Sequence, residues 1–274
     1  MEGIICGIKF MESHDGDGLR TTVFFKGCSL KCIWCHNPES ISFAPQTAFF
    51  ESKCIRCGAC GGTRDAAAAA ACPVEAMTVY GQTYTARELT DLVMKDAPFF
   101  RYGGGVTLSG GECLMQPQFA AEVAKMLREQ GVSVYIDTCG NVPKESLDAV
   151  MPYAEKFLYD VKAVDSQLHR RLTGAGNEKI LENLRYLSQK GCAIEIRIPL
   201  VVGCNDGEVD AMGALLGGIS GIEKVKVLRY HAFAASRYAA LGMENTLPAD
   251  LTTAEDVEKA AAKLRAYGLN AVTE

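Results

Sequence analysis

The sequence has few of the features that mark a nucleic-acid or membrane protein. Its 28 Lys and Arg residues are outnumbered by 33 Asp and Glu, for a net charge of −5, and it has no basic block and no run in which basic and aromatic residues alternate. Nucleic acid and anionic membrane surfaces are therefore not expected partners. Apolar runs such as 66–72 are far too short to span a bilayer. Residues 1–4 show neither a basic start nor a cleavable apolar segment, so we expect no export signal.

Histidine and tryptophan are also scarce, with four and one residues, whereas cysteine is abundant, with 12 residues. Seven cysteines form two tight arrays, and without an export signal this pattern favours iron–sulfur sites in a reducing cytoplasm over disulfides. The other five are predicted to be small, mostly buried apolar residues. They are Cys6, Cys113, Cys139, Cys192 and Cys204, of which Cys113 and Cys139 adjoin other motifs and are alternative ligands.

The first array is C-x3-C-x2-C, formed by Cys28, Cys32 and Cys35 directly after the apolar run 21–25. Three thiolates at this spacing can hold three irons of a [4Fe–4S] cube. Nothing nearby in the sequence is an obvious fourth ligand. An iron left open is a site for a small molecule, just as an open position marks a catalytic rather than a structural zinc.

The second array is C-x2-C-x2-C-x11-C-P, formed by Cys54, Cys57, Cys60 and Cys72. It predicts one auxiliary iron–sulfur cluster, with a short alanine helix at 66–71 that returns Cys72 to the other three. A structural zinc on the same four thiolates is the alternative.

From residue 102 onward, predicted strands alternate with amphipathic helices. This alternation is typical of βαβ units and a parallel sheet, so the predicted fold class is α/β. Including one earlier strand, the predicted strands are 23–26, 106–108, 132–136, 157–161, 193–199, 224–229 and 269–272, and the clearest helices are 116–130, 177–190 and 254–267.

Polar motifs follow these strands, at the end where barrel enzymes place their active sites. They are Gly110-Gly111-Glu112, Asp137-Thr138, Asp160 with Lys162, and His231, while Arg197 lies within the predicted strand 193–199. Glycines allow a close backbone approach, and a carboxylate accepts hydrogen bonds from an ammonium group. Each motif also has a non-functional explanation. The Gly-Gly-Glu motif would then be an ordinary turn, and the aspartates and Lys162 solvated surface residues. Arg197 would form a packing salt bridge, and His231 would be structural.

Two runs carry a family resemblance: H-D-G-D-G-L-R-T-T-V-F-F-K-G-C at 14–28, and C-H-N-P-E-S at 35–40. The three-cysteine array and its setting resemble the radical S-adenosylmethionine (SAM) superfamily, and the two runs are similar to the activating enzymes of glycyl radical enzymes, nearest the diol, choline and hydroxyproline branch. The resemblance implies a partial (β/α)6 TIM-like barrel of residues 1–50 and 81–274, with a ferredoxin-like insert at 51–80. The family usually has Pro where Asp17 stands, which implies a less rigid loop here.

The resemblance also implies roles for individual residues. The open iron of the first cluster binds SAM, and Trp34 lies beside its adenine, although a core tryptophan is the alternative. Asp15 and Arg197 contact the incoming glycyl loop, and Asp137 and Asp160 lie near a monovalent cation. The implied cofactor-binding residues are Trp34, Gly110, Gly111, Glu112, Asp137, Thr138, Asp160, Lys162, Arg197 and His231.

The implied activity is reductive cleavage of SAM to a 5′-deoxyadenosyl radical, which removes an α-hydrogen from a glycine of a partner glycyl radical enzyme. This chemistry needs no general base, in agreement with the few histidines near the motifs. A flavodoxin or ferredoxin-like electron donor and an anaerobic cell are expected. Two other hypotheses remain: a radical SAM enzyme acting on a small molecule, similar to deazaguanine synthases, and a non-catalytic zinc or electron-transfer protein.

Overall fold

The computed structural model describes residues 1–273. Its strands are β1 (Glu2–Glu12), β2 (Arg20–Phe25), β3 (Gln46–Phe49), β4 (Met77–Tyr80), β5 (Gln82–Thr85), β6 (Gly105–Gly110), β7 (Ser133–Thr138), β8 (Lys156–Asp160), β9 (Ile194–Leu200), β10 (Ile222–Arg229) and β11 (Ala271–Thr273). Its α-helices are α1 (Ala66–Ala71), α2 (Ala86–Val93), α3 (Pro117–Glu129), α4 (Lys144–Val150), α5 (Ser166–Thr173), α6 (Glu178–Gln189), α7 (Val209–Leu216), α8 (Ala235–Ala240) and α9 (Ala254–Ala266).

A nine-stranded sheet forms the centre of the molecule, in the order β11-β10-β9-β8-β7-β6-β2-β1-β5. Strands β2 and β6 to β11 run parallel to one another, whereas β1 pairs antiparallel with both β2 and β5. The sheet is open, with β11 and β5 as its edges. The predicted α/β class and partial barrel are therefore confirmed.

The parallel strands are short apolar runs because helices cover their outer face. In α3, Phe119, Val123 and Leu127 recur every four residues and are buried against the sheet. The last helix, α9, begins with a capping box in which Thr253 and Asp256 satisfy each other's backbone N–H groups. None of the helices within residues 1–273 has the length and apolar character needed to cross a membrane.

Sequence patterns missed β1, β5 and the antiparallel pair of β3 and β4. Strand β1 lacks a clean alternation because its pairing with β2 shifts register twice, between Ile5 and Gly7 and between Lys9 and Glu12. Strands β3 and β4 form a separate two-stranded sheet, and the second cysteine array lies in the segment between them. The helix predicted at 66–71 is confirmed as α1, and its first turn is capped by Asp65, which accepts a hydrogen bond from the Ala68 amide at 2.8 Å.

Candidate active site

A cavity of about 320 Å³ opens at the carboxyl ends of the parallel strands. Its volume lies in the range of small-molecule sites. Thirteen residues predicted to serve the site line it: Asp15, Cys28, Cys32, Trp34, Cys35, Gly110, Gly111, Asp137, Thr138, Asp160, Lys162, Arg197 and His231. The structure thus brings together motifs that lie far apart in the sequence.

The cysteine loop 28–35 is held in place by its own backbone. The Lys31 and Ile33 amides donate to the carbonyls of Thr173 and Leu172 at 2.8 and 2.9 Å, which fixes the loop against the end of α5. Burial raises the pKa of Cys28, Cys32 and Cys35 to about 12. A thiolate in such surroundings needs a positive partner, and metal ions are the usual one, so the three residues fit an iron–sulfur cluster.

Both glycines of the G-G-E motif are required by close packing against β2. Gly110 has φ +121°, and a Cβ there would lie 2.1 Å from the Phe25 nitrogen. A Cβ on Gly111 would lie 2.5 Å from the Gly27 carbonyl oxygen. The Gly111 amide donates to the Phe25 carbonyl at 3.0 Å, so the motif is laced to the strand that leads into the cysteine loop.

Glu112 differs from the other predicted residues because it lies behind the cavity wall. Its side chain is buried and accepts hydrogen bonds from the Leu114 amide at 3.1 Å, the Thr138 hydroxyl at 2.9 Å and the Cys139 amide at 2.8 Å. Burial raises its pKa, while these hydrogen bonds oppose the rise. The carboxylate therefore joins the ends of β6 and β7, and its direct contact with a ligand stays a prediction.

Charged groups at the ends of β7 and β8 face the cavity. Lys162 forms an ion pair with Asp160, and the Ser109 hydroxyl donates to Asp137 at 2.6 Å. Burial lowers the pKa of Lys162, but the charge of Asp160 outweighs it and the pKa rises. Burial raises the pKa of Asp137 to about 7, against the opposing charge of Arg197. Together, Lys162, Asp160 and Asp137 can orient a zwitterionic ligand such as an amino acid.

Arg197 lies at the floor of the cavity. Its guanidinium contacts the Asp15 carboxylate at 3.3 Å, donates to the His14 carbonyl at 3.0 Å and lies 3.7 Å from Asp137. Its Nε is buried and has no hydrogen-bond partner within the described part of the chain. The packing salt bridge and the site position expected of Arg197 thus occur together.

Loop 13–19, between β1 and β2, crosses the amino ends of the barrel strands. Asp17 in this loop accepts a hydrogen bond from the Tyr135 hydroxyl at 2.9 Å and forms ion pairs with Lys156 at 2.9 Å and Lys224 at 3.2 Å. The resemblance implied a less rigid loop where Asp17 replaces proline. The structure shows three side-chain contacts of Asp17, and the lower rigidity of the loop stays a prediction.

Aromatic side chains surround the mouth of the cavity. His36, which was not predicted, stacks on His231 at 4.2 Å between ring centroids, and His231 stacks on Phe233 at 4.1 Å. Its position directly after the third cysteine is the signal that could have marked it. Trp34 is 5% exposed and packs with Tyr230 while also lining the cavity, which suits both a core and a ligand-facing role.

The four cysteines of the second array share one small apolar cavity of about 40 Å³, lined by Cys54, Cys57, Cys60 and Cys72. Backbone amides approach two of the sulfurs, with Arg56 N 3.4 Å from Cys54 Sγ and Ala76 N 3.3 Å from Cys72 Sγ. Within residues 1–273, no three His, Cys, Asp or Glu side chains are grouped as a site for a single metal ion.

The isolated cysteines divide by burial. Cys6, Cys113 and Cys139 are buried, while Cys192 and Cys204 are half-buried. Of the two alternative ligands, Cys139 lines the main cavity, whereas Cys113 lies behind it with its sulfur 3.6 Å from the Asp137 carbonyl oxygen.

Comparison with known proteins assigns the chain to a family. The model of the radical SAM superfamily matches residues 22–216. The chain is 35% identical to the choline trimethylamine-lyase activating enzyme of Oleidesulfovibrio alaskensis, over 97% of this chain and 96% of that protein. It is 37% identical to the trans-4-hydroxy-L-proline dehydratase activating enzyme of Clostridioides difficile, over 87% of both. It is 39% identical to the pyruvate formate-lyase 2-activating enzyme of Escherichia coli, over 87% and 80%.

Solved structures agree with this assignment. A domain of a pyruvate-formate lyase-activating enzyme from Bacteroides vulgatus matches with a TM-score of 0.53 and 30% identity, over 63% of this chain and 99% of that one. Streptococcus suis SuiB bound to S-adenosylmethionine matches in fold, with a TM-score of 0.59 and 14% identity, over 90% of this chain and 48% of that one. The chain therefore belongs to the radical SAM superfamily and, within it, to the activating enzymes of glycyl radical enzymes.

Proposed function

We propose that this protein uses S-adenosylmethionine to install a radical on a glycine of a partner glycyl radical enzyme. The observation that carries the proposal is the convergence of the three-cysteine loop and the strand-end motifs on one cavity. The relatives named as activating enzymes support it. The reaction consumes one electron and one SAM, and it yields methionine, 5′-deoxyadenosine and the glycyl radical.

Cys28, Cys32 and Cys35 would hold a [4Fe–4S] cluster, which supplies the electron that cleaves the sulfonium–C5′ bond. All three cysteines line the cavity, and the loop between them is fixed by its backbone. The protein's own task is to orient SAM and to exclude water from the radical.

The strand-end residues would orient the methionine part of SAM. Lys162 offers a fixed positive charge to its carboxylate, and a monovalent cation beside Asp137 and Asp160 would offset their negative charge. Gly110 and Gly111 line the cavity, so their backbone would lie within reach of the amino group. In this arrangement Trp34 and His231, which both line the cavity, would flank the adenosine.

Asp15 and Arg197 would bind the backbone of the partner's glycine loop. Both line the cavity at its floor, and an open sheet leaves the barrel accessible to a peptide. A small-molecule radical SAM enzyme is the second candidate. The relatives favour a protein substrate, because the three described above are all named as activating enzymes.

Residues 51–80 would form a separate module that holds one auxiliary [4Fe–4S] cluster on Cys54, Cys57, Cys60 and Cys72. The shared cavity and the amide contacts to sulfur support this assignment, since such contacts are common around iron–sulfur clusters. Four-thiolate zinc is the alternative, and metal analysis separates the two. The electron would come from a flavodoxin or ferredoxin-like donor in an anaerobic cytoplasm.

The test is anaerobic reconstitution with iron and sulfide, followed by electron paramagnetic resonance with and without SAM and an assay for 5′-deoxyadenosine. We expect a reduced-cluster signal that changes on addition of SAM, and deoxyadenosine formation that Cys32→Ala abolishes. Cys204→Ala, outside both arrays, is the matched control and should behave as the native protein. Native protein with full iron content, an unchanged signal and no deoxyadenosine would refute the proposal.

A further inference from the structure

An ion cluster lies at the amino ends of the barrel strands, on the side opposite the cavity mouth. Asp17 is its centre, paired with Lys156 from the start of β8 and Lys224 from β10. Lys224 also pairs with Glu195 of β9 at 3.1 Å, and Glu195 is only 3% exposed. One aspartate in loop 13–19 thereby contacts side chains of β7, β8 and β10, and Lys224 links it further to β9.

The same cluster reaches the residues that face the cavity. Glu195 lies 3.9 Å from the Arg197 Nε, on the same strand. Arg197 in turn contacts the Asp15 carboxylate and the His14 carbonyl, both in the loop that Asp17 anchors. Arg197 therefore contacts the loop directly, whereas Glu195 links it to the ion cluster only through a long contact.

Asp15 is itself fixed by short hydrogen bonds. Its carboxylate accepts from the Thr22 hydroxyl at 2.9 Å, and its carbonyl accepts from the Thr107 hydroxyl at 2.7 Å. These bonds set the depth of Asp15, but they do not hold residues 16–18. In the described part of the chain, the side-chain anchors of that stretch are the three contacts of Asp17 and a long contact of 3.4 Å from Arg20 to the Asp17 carbonyl.

We propose that Asp17 is a positioning residue that holds loop 13–19 against the strands, so that Asp15 and Arg197 face the cavity in a fixed arrangement. Its effect falls on the affinity for the partner's glycine loop and leaves SAM cleavage unchanged. This inference rests on the proposed function, in which Asp15 and Arg197 bind the backbone of that loop. Preorganised groups bind more tightly because less ordering is needed on association.

The test compares Asp17→Asn with the native protein. Asparagine keeps the shape and one hydrogen-bond acceptor but removes the negative charge that pairs with the two lysines. The matched control is Glu182→Gln, which removes an ion pair with Lys144 of 3.2 Å on the outer surface. Hydrogen exchange of loop 13–19 is measured on the protein without added SAM or partner, and steady-state activation is measured with a glycyl radical enzyme from the same genome.

For Asp17→Asn we expect faster amide exchange in loop 13–19, and a KM for the partner raised about tenfold with little change in kcat. The yield of deoxyadenosine in the absence of partner should equal that of the native protein. Glu182→Gln should leave the exchange rate, KM, kcat and deoxyadenosine yield unchanged, because exposed ion pairs contribute little.

An amide hydrogen-exchange rate in loop 13–19 of Asp17→Asn equal to that of the native protein would overturn the inference. Faster exchange with an unchanged KM would also overturn it, because Asp17 would then stabilise the loop without serving the site. The proposed function fails by a different result, namely no deoxyadenosine from the native protein, and the exchange measurement still reports on the loop in that case.

Discussion

Replacing Glu112 by glutamine tests whether this carboxylate joins the ends of β6 and β7 or binds SAM directly. Both of its oxygens accept hydrogen bonds from the protein, from Leu114, Thr138 and Cys139. The glutamine side chain has one accepting oxygen, and its NH2 group can only donate. In either orientation, a buried backbone N–H therefore faces another donor.

The cost can be worked out from these contacts. A buried N–H without an acceptor costs about 1–3 kcal/mol, and changing the remaining hydrogen bonds from charged to neutral costs about 1 kcal/mol more. Relief of the buried charge offsets part of this cost, since burial raises the pKa of Glu112. We expect a net loss of about 2 kcal/mol, or roughly 30-fold in the unfolding equilibrium.

The assay is urea unfolding followed by circular dichroism, alongside SAM affinity of the reconstituted protein. Glu129→Gln, at an exposed position on α3, is the control and should change the unfolding free energy by less than about 0.5 kcal/mol. An unfolding free energy equal to that of the native protein, together with a tenfold loss of SAM affinity, would refute this structural role. Glu112 would then contact SAM directly.

Three further predictions follow from the geometry. Gly110→Ala should lose more than about 3 kcal/mol in urea unfolding, because its Cβ would meet the Phe25 nitrogen, whereas Gly7→Ala, with open space, should not. Hydrogen bonding from Lys156 lowers the pKa of Asp17 below its ordinary 3.8, so the stability lost in Asp17→Asn should be full near neutral pH and shrink as pH falls below about 4. Trp34 is the single tryptophan and lines the cavity, so SAM should change its fluorescence; unchanged emission at saturating SAM would contradict its place beside the adenine.

Sequence patterns predicted the parallel strands well because each is a short apolar run closed by a polar motif. Strand β6, for example, was expected at 106–108 and is Gly105–Gly110. Strand β1 escaped because its two register shifts break the alternation on which such predictions depend. Strands β3 and β4 have four residues each, too few for a periodic signal.

At the cavity, the sequence predicted which residues meet but not which way each points. Glu112 was placed correctly at the end of β6, yet its side chain turns toward Thr138 and away from the cavity. The ion pair of Arg197 with Asp15 joins residues 182 positions apart, and no local pattern reports such a pairing. The contacts of Asp17 escaped for the same reason.

The loop across the barrel floor also has a consequence for how the chain folds. Asp17 is made early in synthesis, but its partners Lys156 and Lys224 follow 139 and 207 residues later. Contacts of such sequence separation form slowly, because a long chain segment must be ordered before they yield any stabilisation. We therefore expect loop 13–19 to lock only after β10 has been synthesised, and the floor of the cavity to be among the last parts of the molecule to become native.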